Sequence, residues 1–377
     1  MFDRSGIWKV LAFAGLAMAG PVCAQSLQGW NEFDGPFGVN WTIYGQISGG
    51  FMSVDDGFET DQALVDNGNS GTRIGIIGER DIGTGIVSFT FETALGTRGS
   101  SQIGQTSVPT DSIFGRRTLR FLEVKYQGSS GNYAIGQGSM ATDGVAEVDF
   151  SGTSLAAYSF VSGAGGGFSF RDQSGALTPI IVSGVFRNFD GGRRLRIRYD
   201  TPEIRGFSIG AALGKEVVNP NDDNTYSDFS VRYSGAFSNI ETGVAVGYGR
   251  IETPTGAVSE ALLASASALH KTSGISVTLA TGAQQRGSAG SYDYIKLGYR
   301  TDSFALGETR LSVDYYAGRD LLFTSSESQS VGVAVVQDID RYGIETFVLL
   351  RRYAMEDAGT TGFEDVTALF AGARFKF

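Results

Sequence analysis

Much of the chain alternates apolar and polar residues, and turn-forming residues cut that alternation into short runs. Leu195, Ile197 and Tyr199 interleave with Arg194, Arg196 and Arg198. Successive side chains of a strand face opposite sides, so one face of this run is apolar and the other guanidinium. The pattern recurs. Phe229, Val231 and Tyr233 alternate with Asp228, Ser230 and Arg232, and Ile295, Leu297 and Tyr299 with Tyr294, Lys296 and Arg300. Leu311, Val313 and Tyr315 alternate with Arg310, Ser312 and Asp314, and Val331, Val333 and Val335 with Ser330, Gly332 and Ala334. The chain ends on Leu369, Ala371, Ala373, Phe375 and Phe377, with Gly372, Arg374 and Lys376 between.

Sixteen such runs can be placed: 41–54, 72–80, 86–93, 116–127 and 131–137, then eleven more from 193–200 to 366–377. An even number suits an antiparallel meander that closes on itself. A soluble sandwich explains any single run as well as a membrane barrel does. Two features favour the barrel. Tight turns at 80–85, 127–132, 201–206, 234–239, 271–274 and 338–343 contrast with longer polar connections at 54–70, 97–114, 215–225 and 357–364. Short turns on one side and long loops on the other are the asymmetry of an outer-membrane barrel. Tyr199, Phe207, Tyr233, Tyr248, Tyr299 and Tyr315 fall near strand ends on the apolar face, where an interfacial girdle sits. The expected fold is therefore all-β, a transmembrane antiparallel β-barrel of sixteen strands. That is too wide for side chains to fill, and it implies an aqueous channel. The run 116–127 conflicts with itself: Leu119 and Phe121 set one parity and Leu122, Val124 and Tyr126 the other, which predicts a bulge.

Composition narrows the field from another side. Among 377 residues are 54 glycines, 7 prolines, one cysteine and one histidine, with 19% charged residues. That excludes a disulfide framework and leaves little for a His/Cys metal site or most catalysis. A net charge of −10 disfavours nonspecific nucleic-acid binding, which needs a basic footprint. A mean hydropathy of −0.04 resembles a soluble protein, yet it is also the average of two opposite faces.

The first 24 residues read as a secretory signal peptide cleaved before Gln25, leaving 25–377 as the barrel domain. A mildly basic start precedes the apolar stretch 10–20, which is too short to span a bilayer, and Val22-Cys23-Ala24 places small residues at the cleavage site. Lipidation of Cys23 is the alternative, but Gly20-Pro21-Val22 makes a poor lipobox.

Residues 72–93, TRIGIIGERDIGTGIVSFTFET, resemble the second hairpin of the trimeric Gram-negative porins. Phe114-Gly115-Arg116, leading to Tyr133-Ala134-Ile135-Gly136, resembles the next hairpin. Arg198-Tyr199-Asp200-Thr201-Pro202, followed by Gly206-Phe207, is similar to a turn of that family, and Phe377 is similar to its aromatic-terminated last strand. Gln137, where the family often has Arg, and the segment 25–38 depart from the pattern. The resemblance implies a homotrimer in the outer membrane, in contact with lipid and lipopolysaccharide. It implies that the assembly machinery reads Phe377, and that a long third loop, here about 138–192, folds into the lumen as a constriction. No cofactor and no enzyme activity are implied.

The expected function is passive diffusion of small hydrophilic solutes and ions, selected by size and charge. Arginines facing lipid cost roughly 2–4 kcal/mol each near the midplane, so Arg194, Arg196 and Arg198 are expected to face the lumen. The resemblance adds Arg73, Arg116 and Arg120 to the basic wall, and places Asp143, Glu147 and Asp149 opposite, on the inward loop. A solvated wall or loop explains each group without selectivity. Asp222 and Asp223, in an Asn-Pro-Asn-Asp-Asp-Asn loop, offer oxygens that suit Ca²⁺, although an exposed polar loop has the same composition. A channel specific for a sugar or carboxylate, an adhesin, and a hydrolase built on His270 are the rival functions.

Overall fold

The computed structural model describes residues 31–106, 115–287, 290–357 and 362–377. The signal-peptide reading and Phe114 lie outside these residues. Sixteen antiparallel strands form the wall, each paired with its neighbours in sequence. They are β1 (Asn40–Asp55), β2 (Thr60–Asp66 and Arg73–Asp81), β3 (Gly85–Ala94), β4 (Leu119–Gly128), β5 (Gly131–Ser139), β6 (Arg193–Asp200), β7 (Phe207–Lys215) and β8 (Thr225–Phe237). There follow β9 (Ile240–Glu252), β10 (Val258–His270), β11 (Ile275–Arg286), β12 (Ser291–Thr301), β13 (Thr309–Arg319), β14 (Ser326–Ile339), β15 (Ile344–Asp357) and β16 (Val366–Lys376). The ring closes where β16 pairs with β1, from Gln46 opposite Lys376 to Asp55 opposite Thr367. Closure leaves no unpaired edge, the condition for a sheet to cross a bilayer.

Alternation sets the two faces as expected. On β12, Ile295, Leu297 and Tyr299 are 42–51% exposed on the outside, while the alternating Tyr294 and Lys296 are buried. At the short-turn end the rings of Tyr133 and Tyr199 lie 4.9 Å apart, and those of Phe207 and Tyr233 4.7 Å.

Two local departures have physical reasons. The connection expected at 54–70 is mostly strand: Thr60–Asp66 pairs with the far half of β1 after a turn at 56–59. The wall is then interrupted at 67–72, where the Asp66 carboxylate accepts the Thr72 N–H at 3.0 Å and its hydroxyl at 2.8 Å. Polar Thr60, Asp61 and Gln62 ahead of the turn-rich 67–71 hid this segment. On β4 the register shifts between Leu119 and Phe121, so Arg120 is the bulged residue and the regular strand begins at Leu119 rather than at 116. Without the bulge Arg120 would share the outward parity of Leu122 and Val124. With it, the guanidinium reaches inward.

Residues 140–192, between β5 and β6, carry an apolar core of their own. They hold a short hairpin (Ser169–Arg171 with Leu177–Ile181) and one helical turn (Val182–Val185), which the sequence pattern did not predict. Phe168, Phe170 and Phe186 are fully buried against the inner faces of β1 and β11–β16. The Phe186 ring sits 5.3 Å from that of Tyr316 and 5.2 Å from that of Tyr353. The Tyr353 hydroxyl contacts the carbonyls of Val161 (2.7 Å) and Ala164 (2.5 Å). On the other flank the Val148 and Phe150 N–H groups donate to Ser265 and Ser267 of β10. Glycine makes this approach feasible: a Cβ at Gly247 would stand 2.8 Å from Thr142, and one at Gly298 2.6 Å from Ser151.

Candidate functional site

The remaining inner wall, from β2 to β8, is richer in charge than in rings. Arg73 on β2 and Arg120 at the β4 bulge converge on a single carboxylate, Glu92 of β3. Arg73 Nε stands 3.6 Å from Glu92, Arg120 Nε is hydrogen-bonded to it, and the Tyr44 hydroxyl donates to it at 2.9 Å. Arg193, at the start of β6, lies 5.3 Å above the Phe121 ring, within electrostatic range of Arg120, Glu92, Asp143 and Glu147. Arg73 also senses Arg374, whose guanidinium bridges Glu345 (2.6 Å) and Ser70 (2.9 Å).

Facing them is an acidic cluster at the root of 140–192. Asp190 closes that root by accepting the N–H groups of Gly144 (2.6 Å) and Ala146 (2.7 Å). Arg232 of β8 donates to the carbonyls of Asp143 (2.8 Å) and Ala141 (3.1 Å). Burial, then the charges of Asp190 and Asp143, pushes the Glu147 carboxyl up to about 8. Burial also raises Asp190, to about 7, against the pull of its two N–H donors. Near neutral pH this side carries less negative charge than three carboxylates imply.

Asp149 does a different job. Its Oδ2 receives Lys296 Nζ at 2.6 Å and its Oδ1 the Thr278 hydroxyl at 3.1 Å, and both charges are buried. Burial opposes its ionisation, yet Lys296 and Ser151 hold its carboxyl below the usual range. The pair anchors the segment to β11 and β12.

The three arginines of β6 have inward parity, with Leu195 and Ile197 exposed on the outside. None is a free cation. Arg196 is buried, ion-paired with Glu123 and donating to the carbonyls of Ser139 (3.1 Å) and Gly136 (3.2 Å). Arg198 grips Asp200 through two 2.8 Å hydrogen bonds. Arg194 stacks on Tyr226 at 4.0 Å and pairs with Glu216 at 3.2 Å. Arg116 is exposed on a single helical turn ahead of β4, apart from the Arg73–Arg120 pair.

Phe377 continues the closing seam, exchanging backbone hydrogen bonds with Gly45 at 2.9 and 3.1 Å. Asp222 accepts from the Tyr226 hydroxyl at 2.8 Å, while Asp223 stands 3.8 Å from Lys215. Among the described residues no group of three or more His, Cys, Asp and Glu is placed to hold a metal ion. His270 contacts Ser273 at 2.8 Å at the exposed short-turn end.

Sequence reading missed Glu92, Arg193, Asp190 and Arg232. Arg193 abuts the ladder and Glu92 is the penultimate residue of the motif 72–93, so both carried a faint signal. Asp190 carried none, because its partners lie more than forty residues away.

A comparison with curated protein sequences returned no match. Solved structures do match. The anion-selective porin of Comamonas acidovorans superposes with a TM-score of 0.61 at 17% identity, over 90% of this chain and all of that one. OprB of Pseudomonas putida gives 0.57 at 9% identity, over 90% and 94% of the two chains. OmpT of Vibrio cholerae in its trimer form gives 0.55 at 12%, over 90% and 99%. At these identities the likeness is one of fold. The family model described as Gram-negative porin matches residues 10–351, and with that match over most of its length the chain belongs to the Gram-negative porin family.

Proposed function

We propose that the protein is a passive outer-membrane channel for small hydrophilic solutes and ions, with a preference for anions set beside Arg73, Arg120 and Arg193. One observation carries the reading: two guanidiniums converge on the single carboxylate Glu92 with a third, Arg193, within electrostatic range, and the carboxyls across from them, Glu147 and Asp190, ionise only near neutral pH. The residues 140–192 fill the side of the lumen lined by β11–β16, so the passage runs along the charged side. Low-dielectric walls focus the field of those charges on a passing ion, and salt screens it with a Debye length of about 10 Å at 0.1 M. Size limits the solute, and the cost of displacing water from the charged wall turns away apolar ones.

The working unit in this reading is a homotrimer in the outer membrane, held among lipid and lipopolysaccharide, with Phe377 offered to the assembly machinery. The trimer form of the Vibrio cholerae relative supports the assembly, and the name of the Comamonas relative agrees with the sign of selectivity. No cofactor, bound Ca²⁺ or bond-making chemistry enters. Planar-bilayer recording in a KCl gradient tests it. Conductance steps in threes with a reversal potential on the chloride side are expected, and silent insertion or a cation-side potential overturns the reading.

A further inference from the structure

A cavity of about 260 Å³ opens at the long-loop end of the barrel, between the returning limb 187–192 and the inner faces of β6 and β8–β11. Arg187, Phe189, Arg194, Tyr226, Met140 and Ile251 contribute to its lining. It lies outside the Arg73–Arg120–Glu92 cluster, none of whose members lines it.

The charges around it are not equivalent. Asp228 accepts the N–H groups of Ala141 (3.1 Å) and Thr142 (2.8 Å) and the Thr142 hydroxyl (2.5 Å), while Asp190 accepts the two N–H groups at the root of the segment. Both acids are occupied by the chain itself. Arg194 is held between Tyr226 and Glu216. Arg187 is different. Its backbone N–H and carbonyl are fixed by the Tyr316 hydroxyl at 3.0 and 2.7 Å, but its guanidinium is exposed and has no side-chain partner among the described residues. An unpartnered guanidinium carried on a backbone fixed at both its N–H and its carbonyl is a fork for a carboxylate.

An apolar floor lies beside that fork. Phe189 adopts φ +54°, a left-handed conformation that a bulky residue holds only when its surroundings impose it. Its ring lies 6.0 Å from that of Tyr292, over Gly282, where a Cβ would come within 2.9 Å of it. Strained residues of this kind gather at ligand clamps. Pockets for drug-sized ligands run from about 300 to 1,000 Å³, so this cavity suits something smaller. The neighbouring Asp190 and Asp228 disfavour an anion of higher charge.

We infer that this cavity is a binding subsite for small monocarboxylates with an apolar or aromatic body, the carboxylate taken by Arg187 and the body lying on Phe189. The inference rests on the channel reading and deepens it: solutes of this class are captured at the long-loop mouth before they reach Arg193, Arg120 and Arg73.

Benzoate is the probe, and two measurements separate the subsite from the channel. Calorimetric titration of the purified, detergent-solubilised protein is expected to show one benzoate per chain in the millimolar range. Benzyl alcohol and sulfate should bind at least tenfold more weakly. Arg187→Gln should weaken benzoate binding about tenfold, and Arg187→Lys should recover part of the loss. In planar bilayers, benzoate added on the long-loop side should reduce the chloride current saturably, and benzyl alcohol should not. Equal binding of benzoate by the wild type and Arg187→Gln, or of benzoate and sulfate by the wild type, overturns the subsite. A wild-type protein silent in plain KCl overturns the channel instead, and the titration still decides the subsite.

Discussion

Along β12–β15 the inward positions include Tyr292, Tyr294, Tyr316 and Tyr353, whereas along β2–β6 they include Arg73, Glu92, Glu123 and Arg196. Both stretches obey the same period of two and present the same apolar outer face. The difference is what each inner face packs against. Residues 140–192 offer Phe168, Phe170 and Phe186, and burying such a side chain stabilises by about 1.5–3 kcal/mol, so the segment docks where rings await it. The opposite wall pairs its ions among themselves, Arg196 with Glu123 and Arg120 with Glu92, and offers no comparable bed of rings for the segment to dock on. A barrel too wide to be filled by its own side chains thus takes in one segment, and the side on which that segment docks follows from the chemistry of the walls.

The largest expected effect comes from cutting the anchor between the segment and the wall. Lys296→Met leaves the buried Asp149 carboxylate unpaired, a loss of roughly 3–5 kcal/mol for a buried pair broken on one side. Protease protection of 140–192 should fall and single-channel conductance should rise. Adding Asp149→Leu should restore most of the protection. If the single variant behaves as wild type, the segment is held by its apolar core alone. A smaller change on the same side is Tyr353→Phe, which removes the hydroxyl that serves the carbonyls of Val161 and Ala164. Leaving buried acceptors unpaired costs about 1–3 kcal/mol, so an intermediate loss of protection is expected, with the barrel's own unfolding midpoint little moved.

The charged half is broken by neutralising its cations. Arg73→Gln, Arg120→Gln and Arg193→Gln together should shift the chloride-to-potassium permeability ratio toward potassium by roughly tenfold, equivalent to about 1.4 kcal/mol. The same change at Arg194, Arg196 and Arg198 should shift it much less. Each of those arginines already sits on its own carboxylate, Glu216, Glu123 or Asp200. Reversal potentials in a KCl gradient compare the two triples directly. Equal shifts would mean that local pairing does not decide which arginines an ion senses.

That contrast also marks what the sequence could tell. Alternation located all sixteen strands, apart from the first half of β2, and the inward parity of Arg194, Arg196 and Arg198, because a strand face is a local property. The parity conflict around Leu119 and Leu122 located the bulge for the same reason, although not that Arg120 was the residue it redirected. Which arginines are neutralised was invisible, since Glu123 meets Arg196 from 73 positions away. The charge roles of 140–192 were hidden too. Asp149 and Glu147 are two residues apart, yet one is fixed on Lys296 while the other is buried among acids. Only the folded segment separates an anchor from a group whose charge responds to pH.

The smallest expected effect tests that last distinction. Glu147 and Asp190 have carboxyls raised to about 8 and about 7, so both are largely protonated at pH 6 and ionised at pH 9. The sign follows. Raising the pH through this window adds negative charge opposite Arg73, Arg120 and Arg193, and chloride preference should decline about twofold to threefold, well under 1 kcal/mol. Because the folded values lie above those of a free carboxyl, ionisation also weakens the docking of 140–192 progressively as pH rises from about 4.5 to 8. Glu147→Gln should flatten much of the change in selectivity, whereas Lys296→Met combined with Asp149→Leu, which removes the buried pair as a unit, should leave its pH dependence in place. Reversal potentials at pH 6, 7.5 and 9 on the three proteins check this. A wild-type preference that rises with pH, or one unaffected by Glu147→Gln, would place the titrating group elsewhere on the charged wall.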